Sequence, residues 1–320
     1  MWRSDRTLAG PVPAVEADID ALNRVFSEAF TERYRRDGLA SVRVPYLNPA
    51  VWRFAIADSG PGALIWRDGR GELVAFNMVH RSGSEGWMGP LAVRTDRQGR
   101  GHGQQVVREG VAWLEAQGTQ TIGLETMPRT IDNIGFYSQL GFIPDRLTVT
   151  LHRDRLRTAT ASAASLATLE PAQRDASIRE CAALSSLVAA GVDFTREIAL
   201  TLEQQLGDVS LVRNPAGRLS AFALWHAVPL AHGRSREELR ILKLGATDAG
   251  AAVEVIAAVE HEAAAMSLGR IALRCQTRHA DLYARLIDDG FRVQWTDLRM
   301  TLAGKPEPEH RGVLLSNWEI

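Results

Sequence analysis

The chain has 320 residues, a net charge of −1 at pH 7, and a composition of 45% hydrophobic and 23% charged residues. These values are typical of a globular protein long enough for two domains. A net charge this close to zero gives no electrostatic reason to expect a nucleic acid partner. No apolar run approaches the roughly 20 residues that span a bilayer, and residues 1–5 lack the apolar core of a signal peptide. We therefore expect a cytoplasmic protein that binds neither nucleic acid nor membrane.

Cysteine and histidine usage argues against redox or metal chemistry. The two cysteines, Cys181 and Cys275, lie in segments that are predicted to be a helix and a buried strand. Both are expected to be inert core residues. The eight histidines show no spacing typical of metal ligands, so no metal site is predicted.

The first 156 residues alternate between helical and strand periodicity. Apolar residues recur at helical spacing before Gly38, and later strands are separated by glycine-containing turns. Gly89 and Pro90 interrupt one strand, which predicts a bulge or a splayed edge because proline cannot donate to a ladder. The predicted helices are 17–37, 104–117 and 132–140, and the predicted strands are 63–66, 73–79, 87–93, 122–126 and 147–152.

A glycine-rich turn, residues 98–103 (QGRGHG), lies between the strand at 87–93 and the helix that begins near Gln104. Gly99, Gly101 and Gly103 allow tight turns and close approach of backbone N–H groups to a ligand. The helix adds its unpaired N-terminal donors and the positive end of its dipole. The order of strand, turn and helix predicts an anion cradle suited to a pyrophosphate.

After a small, polar segment at 157–165, a similar order of elements appears again. The spacing from Leu91 to Gly141 is close to that from Leu242 to Gly290, which predicts an internal duplication with a period near 150 residues. The predicted segments are helices at 178–187, 194–206 and 251–266, strands at 209–213, 219–226, 239–244 and 270–276, and a stretch at 282–291 that echoes 137–142.

The second copy lacks the cradle. Residues 245–250 (GATDAG) stand between its strand and helix, without the paired glycines. Asp248 would place a carboxylate at the helix N-terminus, where it caps the helix but repels phosphate. We therefore expect a degenerate second half, kept for architecture and for shaping the substrate pocket.

Two motifs resemble the GNAT superfamily of acyl-CoA-dependent N-acyltransferases. Gln98, Gly101 and Gly103 take the defining places of its Q/R-x-x-G-x-G/A signature, and residues 133–142 (NIGFYSQLGF) resemble a shortened N-x-x-x-x-F-Y-x-x-x-G-F signature. The resemblance implies an α+β fold with a mixed, mostly antiparallel sheet flanked by helices, in two tandem GNAT-like domains. We expect an active N-terminal domain at 1–156, a linker at 157–165, a degenerate domain at 166–303 and a tail at 304–320.

The resemblance also implies where acetyl-CoA binds. In the family, the pantetheine runs along the strand that precedes the glycine-rich turn, which assigns Leu91, Ala92 and Val93 to it. Arg100 and His102 stand in the cradle and are expected to meet the pyrophosphate or the 3′-phosphate, unless they face solvent. Asn133 is expected to contact the pantetheine or to cap its helix. The expected cofactor-binding residues are Leu91, Ala92, Val93, Gln98, Gly99, Arg100, Gly101, His102, Gly103, Gln104 and Asn133.

Three residues are candidates for proton transfer. Tyr137 sits where the family commonly places a general acid, and a phenol with a pKa of about 10 is protonated at neutral pH. Glu125, in an otherwise apolar strand, and Glu85 are the candidate bases. A carboxylate in the position of Glu125 is expected to be paired or to have a raised pKa. Deprotonation of the amine through water is the alternative to both.

The resemblance thus implies an N-acetyltransferase that joins acetyl from acetyl-CoA to a primary amine of a small molecule, by direct attack in a ternary complex. The alternatives are a protein lysine acetyltransferase and a non-catalytic acyl-CoA sensor or scaffold. Self-association as a homodimer is a further expectation. In the tail, the apolar residues Val313, Leu314, Leu315 and Trp318 favour docking over a frayed terminus.

Overall fold

A computed structural model describes residues 8–154, 156 and 163–317 of the chain. The strands are β1 (Ala9–Pro13), β2 (Ala63–Arg67), β3 (Leu73–Ser82), β4 (Glu85–Val93), β5 (Thr121–Thr126), β6 (Phe142–Arg153), β7 (Ala164–Ser165), β8 (Gly207–Arg213), β9 (Leu219–His226), β10 (Glu238–Ala246), β11 (Arg270–Gln276), β12 (Arg292–Leu302) and β13 (Val313–Ser316). The helices are α1 (Ile19–Arg36), α2 (Pro49–Ser59), α3 (His102–Ala116), α4 (Ile131–Gln139), α5 (Pro171–Val188), α6 (Thr195–Glu203), α7 (Ala249–Ala265) and α8 (Ala280–Asp288).

The strands of the described residues form one 13-stranded sheet. Their order is β1-β2-β3-β4-β5-β12-β6-β11-β10-β9-β8-β7, and β13 pairs with β10 beside this path. Neighbouring strands are antiparallel except for β4 with β5 and β10 with β11, which are parallel. The predicted fold class, a mostly antiparallel mixed sheet with flanking helices in two tandem halves, is confirmed.

The two halves exchange their last strands at the centre of the sheet. Strand β12, from the second half, lies between β5 and β6 of the first half. Strand β6, from the first half, lies between β12 and β11 of the second half. The sheet of each half is therefore continuous only because the other half supplies a strand. The domain boundaries at 156 and 166 stay a prediction, and residues 157–162 of the predicted linker lie outside the described residues.

The helices bury the faces that their periodicity indicates. Leu22, Phe26 and Ala29 of α1 pack with α2 against one face of the first half of the sheet, and Val106, Val107 and Leu114 of α3 pack against the other. The helices α7 and α8 cover one face of the second half, and α5 and α6 cover the other. Burial of these apolar stripes is the main source of stability for amphipathic helices.

Five elements of the structure have no counterpart among the predicted segments. They are β1, α2, β7, β12 and β13. Helix α2 starts with an Asn-Pro pair, in which the side chain of Asn48 accepts a hydrogen bond from the amide of Ala50 at 3.0 Å. This is a sequence signal for a helix start, with a capping side chain followed by proline at the first helical position.

The predicted tail is docked where the structure describes it. Val313, Leu314 and Leu315 are buried in β13, which pairs with β10. Trp318 lies outside the described residues. Asp248 caps α7 as expected, since its side chain accepts a hydrogen bond from the amide of Ala251 at 3.0 Å.

Candidate active site

Strands β4 and β5 separate after a short parallel ladder. The ladder runs from the pair Glu85 and Thr121 to the pair Met88 and Leu124. Beyond it, residues 91–93 of β4 remain paired only with β3, and the register shifts beside Gly89 and Pro90. Both outcomes that the Gly-Pro dipeptide predicted, a bulge and a splay, are present. The backbone groups on the β5 side of this segment form a free strand edge, available to an extended ligand.

The free edge leads into the glycine-rich turn. Gly99 and Gly101 have φ values of 73° and 86°, in the left-handed region that favours glycine. The side chain of Gln98 donates to the carbonyl of Val93 at 2.9 Å and ties the turn to the strand. Helix α3 begins at His102, so its first amides face the turn. A Cβ atom on Gly99 or Gly101 would meet no protein atom within 4 Å, so the space in front of the turn is open to a ligand.

A cavity of ≈ 980 Å³ is lined by this turn, by the free edge and by residues of the second half. Most of the predicted cofactor-binding residues line it. These are Leu91, Ala92, Val93, Gln98, Gly99, Gly101, Gly103, Gln104 and Asn133.

Arg100 and His102 are placed differently from the other cradle residues. Neither lines the cavity; Arg100 is exposed, whereas His102 is buried in the first turn of α3. Burial, together with the charges of Arg97 and Arg100, lowers the pKa of His102. The ring is therefore neutral at pH 7 and supplies no charge for a phosphate.

Tyr137 lies on α4, lines the cavity and is buried among aromatic rings. Its ring makes edge contacts with Phe136 at 5.1 Å and with Phe142 at 6.2 Å between centroids. Burial raises the pKa of the phenol well above its ordinary value. The hydroxyl accepts or donates no hydrogen bond within the described residues, and it is a protonated donor over the whole physiological pH range.

Glu125 points toward the cavity from β5 and is held by two guanidinium groups. Arg274 of β11 and Arg299 of β12 each donate to it at 2.7 Å, and the hydroxyl of Thr148 donates as well. The pKa of Glu125 is lowered, because these charges and hydrogen bonds outweigh the effect of burial. Of the two expected states, paired or of raised pKa, the structure has the paired one. A carboxylate stabilised in its ionised form is a weak proton acceptor.

Glu85 is buried at the start of β4 and does not line the cavity. It accepts a hydrogen bond from the hydroxyl of Ser316, which does line the cavity. A base role for Glu85 would therefore require a relay through Ser316.

The second half was expected to help shape the pocket, and it supplies a cavity wall whose residues the sequence analysis did not name. Asp297 on β12 is bound by Arg274 at 2.5 Å and by the indole N–H of Trp295 at 3.3 Å. Burial raises the pKa of Asp297, and Arg274 only partly opposes this effect. The ring of Trp295 contacts that of Tyr34 from α1 at 5.9 Å. Trp295, Asp297 and Arg299 stand at every second position of β12 and so lie on one face of the strand.

Two segments from opposite halves contact each other at the lining of the cavity. Leu47 and Ala231 form a β-bridge, the amide of Asn48 donates to the carbonyl of Leu230 at 2.8 Å, and the amide of His232 donates to that of Tyr46 at 2.8 Å. Leu47, Leu230 and Ala231 line the cavity. These contacts join the two halves at the lining of the cavity.

Two classes of feature are absent from the described part of the chain. Its side chains include no group of three or more metal-ligating residues. Its helices include none that is both long and apolar enough to cross a membrane.

Comparison with known proteins finds a family model that matches part of the first half. Residues 20–142 match the sequence model of the acetyltransferase (GNAT) family. No curated protein sequence matches the chain.

Solved structures resemble nearly the whole chain. A putative acetyltransferase from Pyrococcus horikoshii aligns with a TM-score of 0.68 and 15% identity, over 99% of this chain and 96% of that one. N-myristoyltransferase of Saccharomyces cerevisiae with bound myristoyl-CoA aligns with a TM-score of 0.64 and 12% identity, over 94% and 83%. A tandem GNAT protein from the clavulanic acid biosynthesis pathway aligns with a TM-score of 0.56 and 11% identity, over 96% and 99%. At these identities the likeness shows the fold.

Proposed function

We propose that the first half of the chain, in which residues 20–142 match the acetyltransferase (GNAT) family model, transfers acetyl from acetyl-CoA to a primary amine of a small molecule. The observation that carries the proposal is the free edge at residues 91–93, with the open glycine turn at one end and Tyr137 beside it. This arrangement suits a ligand with a diphosphate at one end and an amide-containing arm at the other.

The predicted cofactor-binding residues would contact different parts of acetyl-CoA. The amides at the start of α3 and the turn at Gly99 and Gly101 would bind the pyrophosphate. Leu91, Ala92 and Val93 would bind the pantetheine through their backbone groups, as an added strand pairs with a free edge. Asn133 donates to the hydroxyl of Thr126 at 3.3 Å and holds α4 against β5, which supports the wall of this channel.

The reaction needs one bond formed and one broken. The amine nitrogen attacks the thioester carbonyl, a C–N bond forms, and the C–S bond breaks with CoA as the leaving thiolate. Tyr137 would donate its proton to this thiolate. The amine gives up its proton before or during attack, to Asp297 directly or through water, because Asp297 is the cavity carboxylate whose pKa is raised. Glu125, whose pKa is lowered, is a weaker candidate.

The side of the cavity that faces the second half offers contacts to a small amine. Asp297 supplies a carboxylate, and the rings of Tyr34 and Trp295 supply aromatic faces that attract a cation. The segments at 46–48 and 230–232 pair with each other, and Leu47, Leu230 and Ala231 line the same cavity. A cavity lined from both halves favours a small-molecule acceptor over a lysine on a folded protein.

The release of free CoA thiol in the presence of a panel of amines tests the proposal. We expect release that depends on both acetyl-CoA and one class of small amine. Release with lysine-containing peptides and not with small amines would favour a protein lysine acetyltransferase. Tight binding of acetyl-CoA without release for any amine would favour a sensor or scaffold.

A further inference from the structure

The parallel ladder of the first half has a counterpart of the same length in the second. Strands β4 and β5 pair from Glu85 with Thr121 to Met88 with Leu124. Strands β10 and β11 pair from Glu238 with Arg270 to Ile241 with Leu273. Both ladders are parallel and both stop where a splay begins. The second half has therefore kept the geometry that opens a cofactor groove.

The groove of the second half is filled by the chain itself. Leu91 lies three residues after the end of the first ladder, and Leu244 lies three residues after the end of the second. In the first half, residues 91–93 have a free edge. In the second half, the matching residues 244–246 pair with residues 313–315 of β13. Strand β13 thus occupies the place that corresponds to the pantetheine site.

The fit of β13 in this groove is close. Val313, Leu314 and Leu315 are 5%, 2% and 1% exposed, and they pack into the cores on both faces of the sheet. At Gly312 a Cβ atom would lie 2.4 Å from the carbonyl oxygen of Ala246, so the backbones approach more closely than any side chain would permit. Acetyl-CoA could enter this groove only by displacing the strand.

The strand ends inside the cavity of the first half. The hydroxyl of Ser316 donates to Glu85 and lies 3.3 Å from the ammonium of Lys243. Its carbonyl accepts from Arg299 at 3.4 Å. The side chain of Asn317 donates to the carbonyl of Arg274 at 2.9 Å. Ser316 thus contacts the guanidinium group of Arg299, which binds Glu125. Asn317 contacts the backbone of Arg274, whose guanidinium group binds Glu125 and Asp297.

We propose that β13 is a built-in occupant of the second half's cofactor groove, and that Ser316 and Asn317 are positioning residues for the acceptor side of the active site. The evidence for the first part is the equal length of the two parallel ladders and the pairing of β13 with β10. The second part rests on the proposed function.

Hydrogen–deuterium exchange on the full chain tests the first part. We expect the amides of residues 313–316 to be protected without any ligand, and to stay protected when acetyl-CoA is added. Residues 91–93 should gain protection on their free side only with acetyl-CoA. Rapid exchange at 313–316, or deprotection there on addition of acetyl-CoA, would overturn the proposal. No response at 91–93 with protected 313–316 would instead count against the proposed function alone.

Steady-state kinetics of Asn317→Ala test the second part, with Glu309→Ala in the exposed part of the tail as the matched control. Because small misplacements of an active-site wall can cost about 10²-fold, we expect kcat/KM for the amine to fall by about 10-fold or more. The dissociation constant of acetyl-CoA should not change, and Asn317→Gln should restore part of the loss. A variant that unfolds more readily but keeps its kcat/KM for the amine would overturn the positioning role.

Discussion

The guanidinium group of Arg299 lies 3.6 Å from the centre of the Trp87 ring. Trp87 belongs to β4 of the first half, whereas Arg299 belongs to β12 of the second. Arg299 also binds Glu125 at 2.7 Å and Glu307 at 2.9 Å. One buried side chain of the second half thus contacts a ring and a carboxylate of the first half, so the cavity wall exists only when the two halves are assembled.

Tyr137→Phe is expected to separate chemistry from binding. If the phenol protonates the departing thiolate, kcat should fall by about 10²–10⁴-fold, the usual range for general acid catalysis. The affinity for acetyl-CoA should change little, because the ring and its packing are retained. Tyr283→Phe, in the segment of the second half that echoes Tyr137, is the matched control and should leave kcat unchanged. A weaker affinity for acetyl-CoA with normal kcat would assign Tyr137 to binding instead.

Gly101→Val is expected to abolish acetyl-CoA binding. The residue has a φ of 86° at the start of α3, and a side chain there would both strain the backbone and enter the open space in front of the turn. Gly290→Val is a control for strain, since Gly290 has a φ of 92° and open space around it. Calorimetry should show no binding for the first variant and unchanged affinity for the second. Equal losses in both would indicate general instability.

The pH dependence of kcat/KM should distinguish Asp297 from Glu125 as the proton acceptor. The pKa of Asp297 is raised by burial, so its ionised form is gained as the pH rises toward neutrality. If Asp297 accepts the proton of the amine, kcat/KM should rise with pH through this pKa. Asp297→Asn should remove this rising limb of the pH profile. The pKa of Glu125 is lowered, so this group stays ionised over the same range and Glu125→Gln should keep the limb. The reverse pattern would make Glu125 the base.

Leu314→Ala should show that β13 is part of the folded core. Leu314 is 2% exposed, and truncation of a buried leucine costs about 2–5 kcal/mol of unfolding free energy. Leu187→Ala on α5 is the control, because Leu187 is 61% exposed. Denaturant unfolding of both variants gives the comparison. A Leu314→Ala protein as stable as the control would mean that the tail contributes nothing to the core.

The cradle and the free edge could be predicted from the sequence because they depend on neighbours in the chain. Gly101 needs only its own backbone conformation and the helix that follows, and Gly89 and Pro90 mark the splay within one strand. Arg100 and His102 show the limit of this reasoning. The position of a residue in the motif does not tell whether its side chain faces the space for the ligand. The side chain of His102 is buried in the protein.

The acceptor wall could not be predicted because it depends on pairings between residues far apart in the chain. Arg274 meets Glu125 across 149 positions, and Arg299 meets it across 174. Both contacts follow from the exchange of β6 and β12 between the two halves. No local sequence pattern predicts this exchange. Among the tryptophans of the first half, Trp52 and Trp66 are fully buried in the core, whereas Trp87 lines the cavity.

Calorimetric titration of the full chain with acetyl-CoA is the most direct measurement of whether the active site lies in the first half alone. We expect one binding site per chain, lost in Gly101→Val and unchanged in Asp248→Ala, since Asp248 caps α7 in the half whose groove β13 fills. Two equivalent sites would contradict the occupied second groove. No binding at all would contradict the assignment of the cradle and the free edge to acetyl-CoA.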